Sequence, residues 1–282
     1  MTVTTLVAVG EDVEIAGDPD ARYPIYSLTK PAVAAAILLL VREGAVELDS
    51  VRMLLDHTSG VRDYGSLPEY HEAVRARPGT AWDDDVFLAR TTAAGPLFEP
   101  GQGWAYSNTG YLLLRRLLDE HGGLARFLPA LGLAGATVAE GMDDLGAAVP
   151  APSALLLEGV ADVRGVYDPR WVGHRTLVAR AEDLVGFWRH LPAEMLDPRT
   201  FVPIGFDAPG YVRPCYGLGV MVDPESALGT VVGHGGGGPG YAAAVFAVPR
   251  ADAVAIVLAA DESYPAPETA LELLGAAVRG RS

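Results

Sequence analysis

Residues 27–30 read Ser-Leu-Thr-Lys, and Lys30 is the sole lysine among the 21 cationic side chains of the chain. On a helix, three residues bring two side chains to nearly the same face, about 4.5 Å apart along the axis. A serine hydroxyl is a weak nucleophile until an adjacent base takes its proton. A lysine amine is that base only when burial or a neighbouring cation lowers its pKa from about 10.4. A serine at a helix start also sets its own N–H at the positive end of the dipole, where an oxyanion can be held. The plainer reading is a capping serine followed by an exposed lysine. That reading leaves the position of the only lysine to chance. Arginine can replace lysine as a surface cation, but not as a proton acceptor near neutral pH.

Two other stretches carry groups fit for chemistry. In FEPGQGWAYSNTGYLLL, residues 98–114, Tyr106 and Asn108 lie between a Gly-containing turn at 100–103 and an apolar helical run. A phenol can relay a proton between a serine and a leaving group when a nearby lysine stabilises the phenolate. The Asn108 amide can hold Lys30 on one side and a substrate carbonyl on the other. Simple capping of the helix by Ser107 or Asn108 is the ordinary alternative. In VVGHGGGGPGY, residues 231–241, His234 precedes Gly235, Gly236 and Gly237. Such glycines let a substrate lie against the backbone, and their N–H groups can complete an oxyanion hole. A flexible glycine hairpin is the alternative.

Competing motifs fail. Gly235, Gly237 and Gly240 fit G-x-G-x-x-G, but a strand follows and too little chain remains for a dinucleotide fold. His234–Gly237 mimics the oxyanion loop of α/β-hydrolases, yet the chain contains no G-x-S-x-G. H-E-x-x-H and G-K-[ST] are also absent. The single cysteine, Cys215, allows neither an internal disulfide nor a Cys-rich metal site. No metal and no cofactor is expected.

Hydrophobic patterning supplies the elements that must hold these residues. Runs 2–9 and 12–16 read as strands around Gly10-Glu11. A helix is predicted over 27–43, stopping at Gly44, with Pro31 tolerated in its first turn. Helices are predicted over 83–93, 107–121 and 180–191, the second closed by Gly122-Gly123. Residues 134–175 are rich in Gly, Pro and Ala and receive no assignment. Val-rich runs 217–222, 229–232, 241–248 and 253–259 read as consecutive antiparallel strands, followed by a helix over 268–278. Strands at both ends with helices between predict an α/β (α+β) fold. Its antiparallel sheet is built from both termini and flanked by helices, with an inserted mainly helical region. The expected division is a discontinuous sheet domain, 1–50 with 174–282, a helical domain, 51–173, and an active site between them.

In chain order, S-x-x-K at 27–30, Y-x-N at 106–108 and H-x-G at 234–236 resemble the motifs of the serine β-lactamase and penicillin-binding-protein family. The likeness is closest to its class C-like branch of D,D-carboxypeptidases, D-aminopeptidases, family VIII esterases and acyltransferases. LLDHTSGVRDY at 54–64 resembles the family's Leu-Leu-x-His-Thr-Ser-Gly signature. FEPGQGWAYSNTGY resembles its Pro-Gly turn before Y-x-N, and GHGGGGPGY its last-motif strand and loop. The resemblance implies a β-lactamase/transpeptidase-like fold in which Ser27 is acylated and Lys30 and Tyr106 share general-base and general-acid work. It implies further that Asn108 orients substrate and lysine, that the N–H groups of Ser27 and Gly237 form the oxyanion hole, and that His234 lines the pocket beside Gly235 and Gly236. His57 and Ser59 read as structural. The segment after REGAVELDS is shorter than is usual in the family and no helix precedes the first strand, which implies a trimmed member with an open cleft. Glycine stands at 235 where threonine is usual. The lost hydroxyl favours an ester, amide or acyl-transfer substrate over a β-lactam.

The formal charge of −15, from 36 acids against 21 bases, repels phosphate backbones and anionic membrane surfaces. No nucleic-acid or membrane partner is expected. The longest apolar run, 31–41, is half the roughly 20 residues a bilayer requires. No signal peptide is visible, so a cytoplasmic location is expected. The predicted function is a serine acyl-enzyme hydrolase for a small ester, amide or short peptide. An acyltransferase or amide synthase, in which an amine or alcohol accepts the acyl group, is the alternative within the chemistry. A non-catalytic ligand sensor is the alternative outside it.

Overall fold

The computed structural model describes residues 2–205 and 211–280. Its strands are β1 (Val3–Val9), β2 (Asp12–Ala16), β3 (Tyr23–Pro24), β4 (Thr137–Ala139), β5 (Thr176–Ala179), β6 (Val202–Pro203), β7 (Cys215–Tyr216), β8 (Met221–Asp223), β9 (Val231–Gly238), β10 (Tyr241–Val248) and β11 (Ala253–Ala259). Its helices are α1 (Lys30–Arg42), α2 (Leu48–Leu55), α3 (Pro68–Ala76), α4 (Asp84–Ala93), α5 (Asn108–Glu120), α6 (Leu124–Phe127), α7 (Ala181–Arg189) and α8 (Ala266–Arg279).

The termini do build one sheet. Its order is β2-β1-β11-β10-β9-β8-β7-β6, and β1 lies antiparallel to β11 with Val3 opposite Ala259 and Val9 opposite Ala253. Every residue of β10 and β11 is buried, because both faces of the sheet are covered. Alternate side chains serve two cores. Val245, Ala247, Ile256 and Leu258 face the interior that holds α1 and α7, while Ala244, Phe246, Ala255 and Val257 pack with Ala270 and Leu274 of α8. Burial on both faces explains why these strands read as continuous apolar runs, without strand-like alternation. α1 is apolar almost all round for the same reason: ten of its thirteen residues are buried.

Several elements differ from the sequence expectation. The helix predicted from residue 27 begins at Lys30, and Ser27 sits in a 3-10 turn, Tyr26–Thr29. Tyr26 takes a left-handed φ of +46°, and its N–H donates to Thr176 Oγ1 at 2.7 Å, which sets the turn off from the helix axis. The strand expected over 217–222 is interrupted, since Gly219 adopts φ +87° between β7 and β8. β9 runs on to Gly238, paired with Tyr241, so the glycines are strand and not a loose hairpin. α2, α3 and the small sheet β3-β5-β4 carried no recognisable pattern. Within 134–175 lie only β4 and three short 3-10 turns among the described residues, consistent with the weak periodicity there. No described helix is long and apolar enough to cross a membrane.

β9 pairs with β8 only up to Gly233, so beyond that point its free edge faces the turn that carries Ser27. Their approach is too close for side chains. A Cβ at Gly236 would lie 2.1 Å from the Ile25 carbonyl oxygen and 2.8 Å from the Leu28 nitrogen, both backbone atoms that cannot swing away. At Gly237 a Cβ meets nothing within 4 Å. Gly236→Ala is therefore expected to cost about 1–3 kcal/mol, read from the midpoint of urea denaturation. Gly237→Ala should shift the midpoint by no more than about 0.5 kcal/mol. Equal shifts in the two variants would mean that the turn does not rest on β9.

Candidate active site

Ser27 is half-buried as the second residue of this turn, one residue past the strained Tyr26. The first residue of α1, Lys30, is fully buried beneath it. Lys30 Nζ donates to Ser27 Oγ at 3.0 Å and to Asn108 Oδ1 at 2.7 Å, and lies 3.4 Å from His174 Nε2. The faces of Tyr106 and Tyr111 stand 4.7 and 5.5 Å from the same nitrogen. Burial pushes the Lys30 pKa well below its usual value, and the Asp63 carboxylate pulls it part of the way back. The Tyr106 phenol is raised by burial, and a hydrogen bond with Ser27 pulls the other way. Ser27, Lys30, Tyr106 and Asn108 thus form one cluster.

Ser107 caps the helix, and Asn108 meets Lys30 as expected but gives its amide nitrogen to Asp63. Ser107 Oγ caps α5 by accepting from the Gly110 N–H at 3.1 Å, which frees Asn108 for the cluster. Asn108 points its oxygen at Lys30 because its nitrogen is taken. Nδ2 donates to Asp63 Oδ2 at 3.1 Å, and the Asn108 N–H donates to Asp63 Oδ1 at 3.0 Å. Asp63 is a positioning residue that the sequence reading missed. It is the penultimate residue of the LLDHTSGVRDY stretch, whose likeness to a known signature gave it no role. His174, also missed, lies in the unassigned stretch. It is 1% exposed, and its Nδ1 has no hydrogen-bond partner among the described residues. Burial first, then the Lys30 charge, holds its pKa well below the usual histidine range, so the imidazole is neutral.

A neutral lysine amine has one lone pair and two N–H bonds. With the His174 proton on Nδ1, Asn108 Oδ1 and His174 Nε2 accept the two N–H groups, which leaves the lone pair for the third neighbour, the Ser27 hydroxyl. Such an arrangement can take a proton from Ser27 directly.

The remaining predicted residues divide. His57 is buried with φ +64°, and its Nδ1 accepts the Ser107 N–H at 3.2 Å, a structural role as read. Ser59 Oγ accepts from the Val61 N–H at 3.3 Å. His234 is 3% exposed and turned inward. Its Nδ1–H donates to the Gly235 carbonyl at 2.5 Å, and Nε2 accepts from the Tyr216 hydroxyl at 3.1 Å. Burial and the Lys30 charge bring its pKa to about 3. It walls the cluster without reaching the cleft that opens at Ser27. That cleft is bounded by Asn108, His174, Gly237 and the rings of Tyr64, Tyr70 and Tyr167. Gly235 and Gly236 lie outside it, and Gly236 is spent on the contact with Ile25.

The beta-lactamase family profile matches residues 7–279. The chain belongs to the beta-lactamase family. It is 26% identical over 282 aligned residues to a D-aminopeptidase of Cereibacter sphaeroides, covering 91% of this chain and 53% of that protein. A penicillin-binding protein of Bacillus subtilis is 29% identical over 123 residues, which cover 36% of this chain and 26% of that protein. The chain thus spans about half or less of the length of these curated relatives. Among solved structures, a D-stereospecific amidohydrolase from Streptomyces sp. superposes with a TM-score of 0.78 at 25% identity, covering 92% of this chain and 89% of that one. A D-amino acid amidase from Ochrobactrum anthropi SV3, complexed with L-phenylalanine amide, shares the fold with a TM-score of 0.77 at 21% identity, covering 99% and 94%.

Because Lys30 is the only lysine, protein made with 13Cε-lysine gives a single ε resonance that reports this site alone. Its titration midpoint is expected well below the usual value of about 10.4. Asp63 favours the ammonium, so in Asp63→Asn the midpoint should move lower still. A midpoint in the ordinary lysine range would mean that Lys30 is solvated and is no base for Ser27.

Proposed function

We propose that this family member is a serine acyl-enzyme hydrolase that cleaves a small amide or ester through Ser27. The observation that carries the reading is the buried Lys30 Nζ, 3.0 Å from Ser27 Oγ, with Asn108 Oδ1 and His174 Nε2 on its other sides. As Ser27 Oγ bonds to the acyl carbon, its proton passes to Lys30. The oxyanion is received by the N–H groups of Ser27 and Gly237, at the facing edges of the turn and β9. When the carbon–nitrogen or carbon–oxygen bond breaks, the proton returns through the Tyr106 phenol to the departing amine or alcohol. Water then adds to the acyl-serine, giving its proton to the same base, and the bond to Oγ breaks to release the acid and restore Ser27.

The amide preference is supported by the D-aminopeptidase relatives and the D-stereospecific amidohydrolase. On this reading the site lies where the sheet portion, 1–50 and 174–282, meets the helical portion, 51–173. Ser27, Lys30, His174 and Gly237 come from the first, and Asp63, Tyr106 and Asn108 from the second.

Intact-mass spectrometry after exposure to a fluorophosphonate should find one adduct in the native chain and none in Ser27→Ala. An adduct that persists in Ser27→Ala would sink the mechanism. Lys30→Arg should lose acylation by at least about 10²-fold, the lower range of general-base contributions, because guanidinium keeps its proton. Native-like labelling of that variant would remove Lys30 from the base role.

A further inference from the structure

Granted the acyl-enzyme chemistry at Ser27, we propose that the cleft selects acyl groups without a free ammonium and prefers those carrying a carboxylate, which Arg75 receives. Lys30 and Tyr106, the groups that return a proton to the leaving group, do not line the cleft; Asn108 and Gly237 do. The acyl portion of the substrate is therefore the part that enters it.

Charge in the cleft is one-sided. No Asp or Glu stands among its described lining residues, and Arg75 is the one that is always charged. Elsewhere the arginines of this acidic chain are mostly committed to carboxylates, as Arg115 is to Asp84 and Asp119. Arg75 is exposed on the cleft side of α3, and no ion pair or hydrogen bond engages it among the described residues. One turn before it, His71 lines the same wall and donates through Nε2 to the Gly65 carbonyl at 2.7 Å. That wall thus presents no acceptor charge.

Two carboxylates touch the cleft lining from behind, Glu262, which accepts the backbone N–H groups of Ala154, Leu156 and Gly240, and Asp63, and the oxygens of both are occupied. Asp63 Oδ1 accepts the N–H groups of Gly65 and Asn108, each at 3.0 Å, and Oδ2 accepts from Asn108 Nδ2. Gly65 is interposed, since a Cβ on it would come 2.9 Å from Asp63 Oδ2. An α-ammonium entering here would lose water and face Arg75 with no counter-charge, an unfavourable burial. A carboxylate would meet a planar guanidinium suited to pairing with both its oxygens.

The test compares 4-nitroanilides of D-phenylalanine with a free amine, an N-acetyl group and an N-succinyl group. Each is followed by kcat/KM and by the mass of rapidly quenched enzyme. The expected order is N-succinyl, then N-acetyl, then free amine. Arg75→Ala should lower the N-succinyl to N-acetyl ratio about fivefold, the scale of a solvent-accessible ion pair, and added salt should erode the same ratio in the native chain. Arg75→Glu should bring the free amine above N-succinyl. Fluorophosphonate labelling of Ser27 in each variant checks that the fold and nucleophile survive. A free amine that is the best substrate, with a Ser27 adduct formed, overturns the charge selection and leaves the acyl-enzyme reading standing. An unchanged ratio in Arg75→Ala overturns the assignment to Arg75. Absence of a Ser27 adduct with all three substrates overturns both the selection and the reading on which it rests.

Discussion

An amine in water is a cation, and the same amine enclosed by carbon and neutral dipoles is a base. Everything around residue 30 bears on which of these it is. Lys30 opens α1, so its ammonium would stand at the positive end of that helix's dipole, which disfavours the charge. The helix itself is buried on nearly every side, so water cannot repair the loss. Against these stand the Asn108 oxygen, the two tyrosine faces and the charge of Asp63 behind Asn108. The balance leaves the proton weakly held without leaving the nitrogen unpartnered, which would be costly in its own right.

Ser27 is held by a second constraint, assembled from parts of the chain far apart in sequence. Tyr26 sits in a left-handed conformation that a tyrosine avoids by itself. Three contacts over-determine it: its N–H to Thr176 Oγ1, its hydroxyl to the Pro239 carbonyl at 2.7 Å, and its ring against the bare backbone of Gly238. The turn at 26–29, β5 and the end of β9 therefore fix one another. Ser27 is aimed only when the sheet from both termini has closed, which couples formation of the site to formation of the fold.

What could be read from sequence follows the range of the interactions involved. The S-x-x-K spacing was legible because it is local, and because a sole lysine in a chain of arginines marks itself. The fully buried strands β10 and β11, the cap on α5 and the stop at Gly44 were legible for the same reason. Asp63 and His174 were not. Each acts across dozens of residues on a partner that no local pattern names, 45 residues from Asp63 to Asn108 and 144 from Lys30 to His174. The inward turn of His234 was equally hidden, because strand alternation says that a side chain points to one face but not which face is the cleft. β9 continued through glycines of poor strand propensity because contact with the Ser27 turn outweighs propensity there. α2 and α3 were missed because they bury so little: Val51 and Leu55 in one, Val74 in the other.

The histidines around Lys30 give the cluster its last property. His57, His174 and His234 are all buried beside it, and all three are pushed below the usual histidine range by burial first and by the Lys30 charge second. Three imidazoles of ordinary basicity would compete for any proton that left Ser27. Burial, the larger cause, disfavours an imidazolium at all three whether or not Lys30 is charged, which weakens each as a competing acceptor. Tyr106, raised in the opposite sense, does not give up its own proton unless another is supplied. In the mechanism proposed for this site, a proton leaving Ser27 rests on Lys30 and passes out through Tyr106. The burial that lowers the basicity of Lys30 also lowers that of its histidine neighbours, so on the proposed mechanism the choice among these groups rests on which of them stands within reach of Ser27.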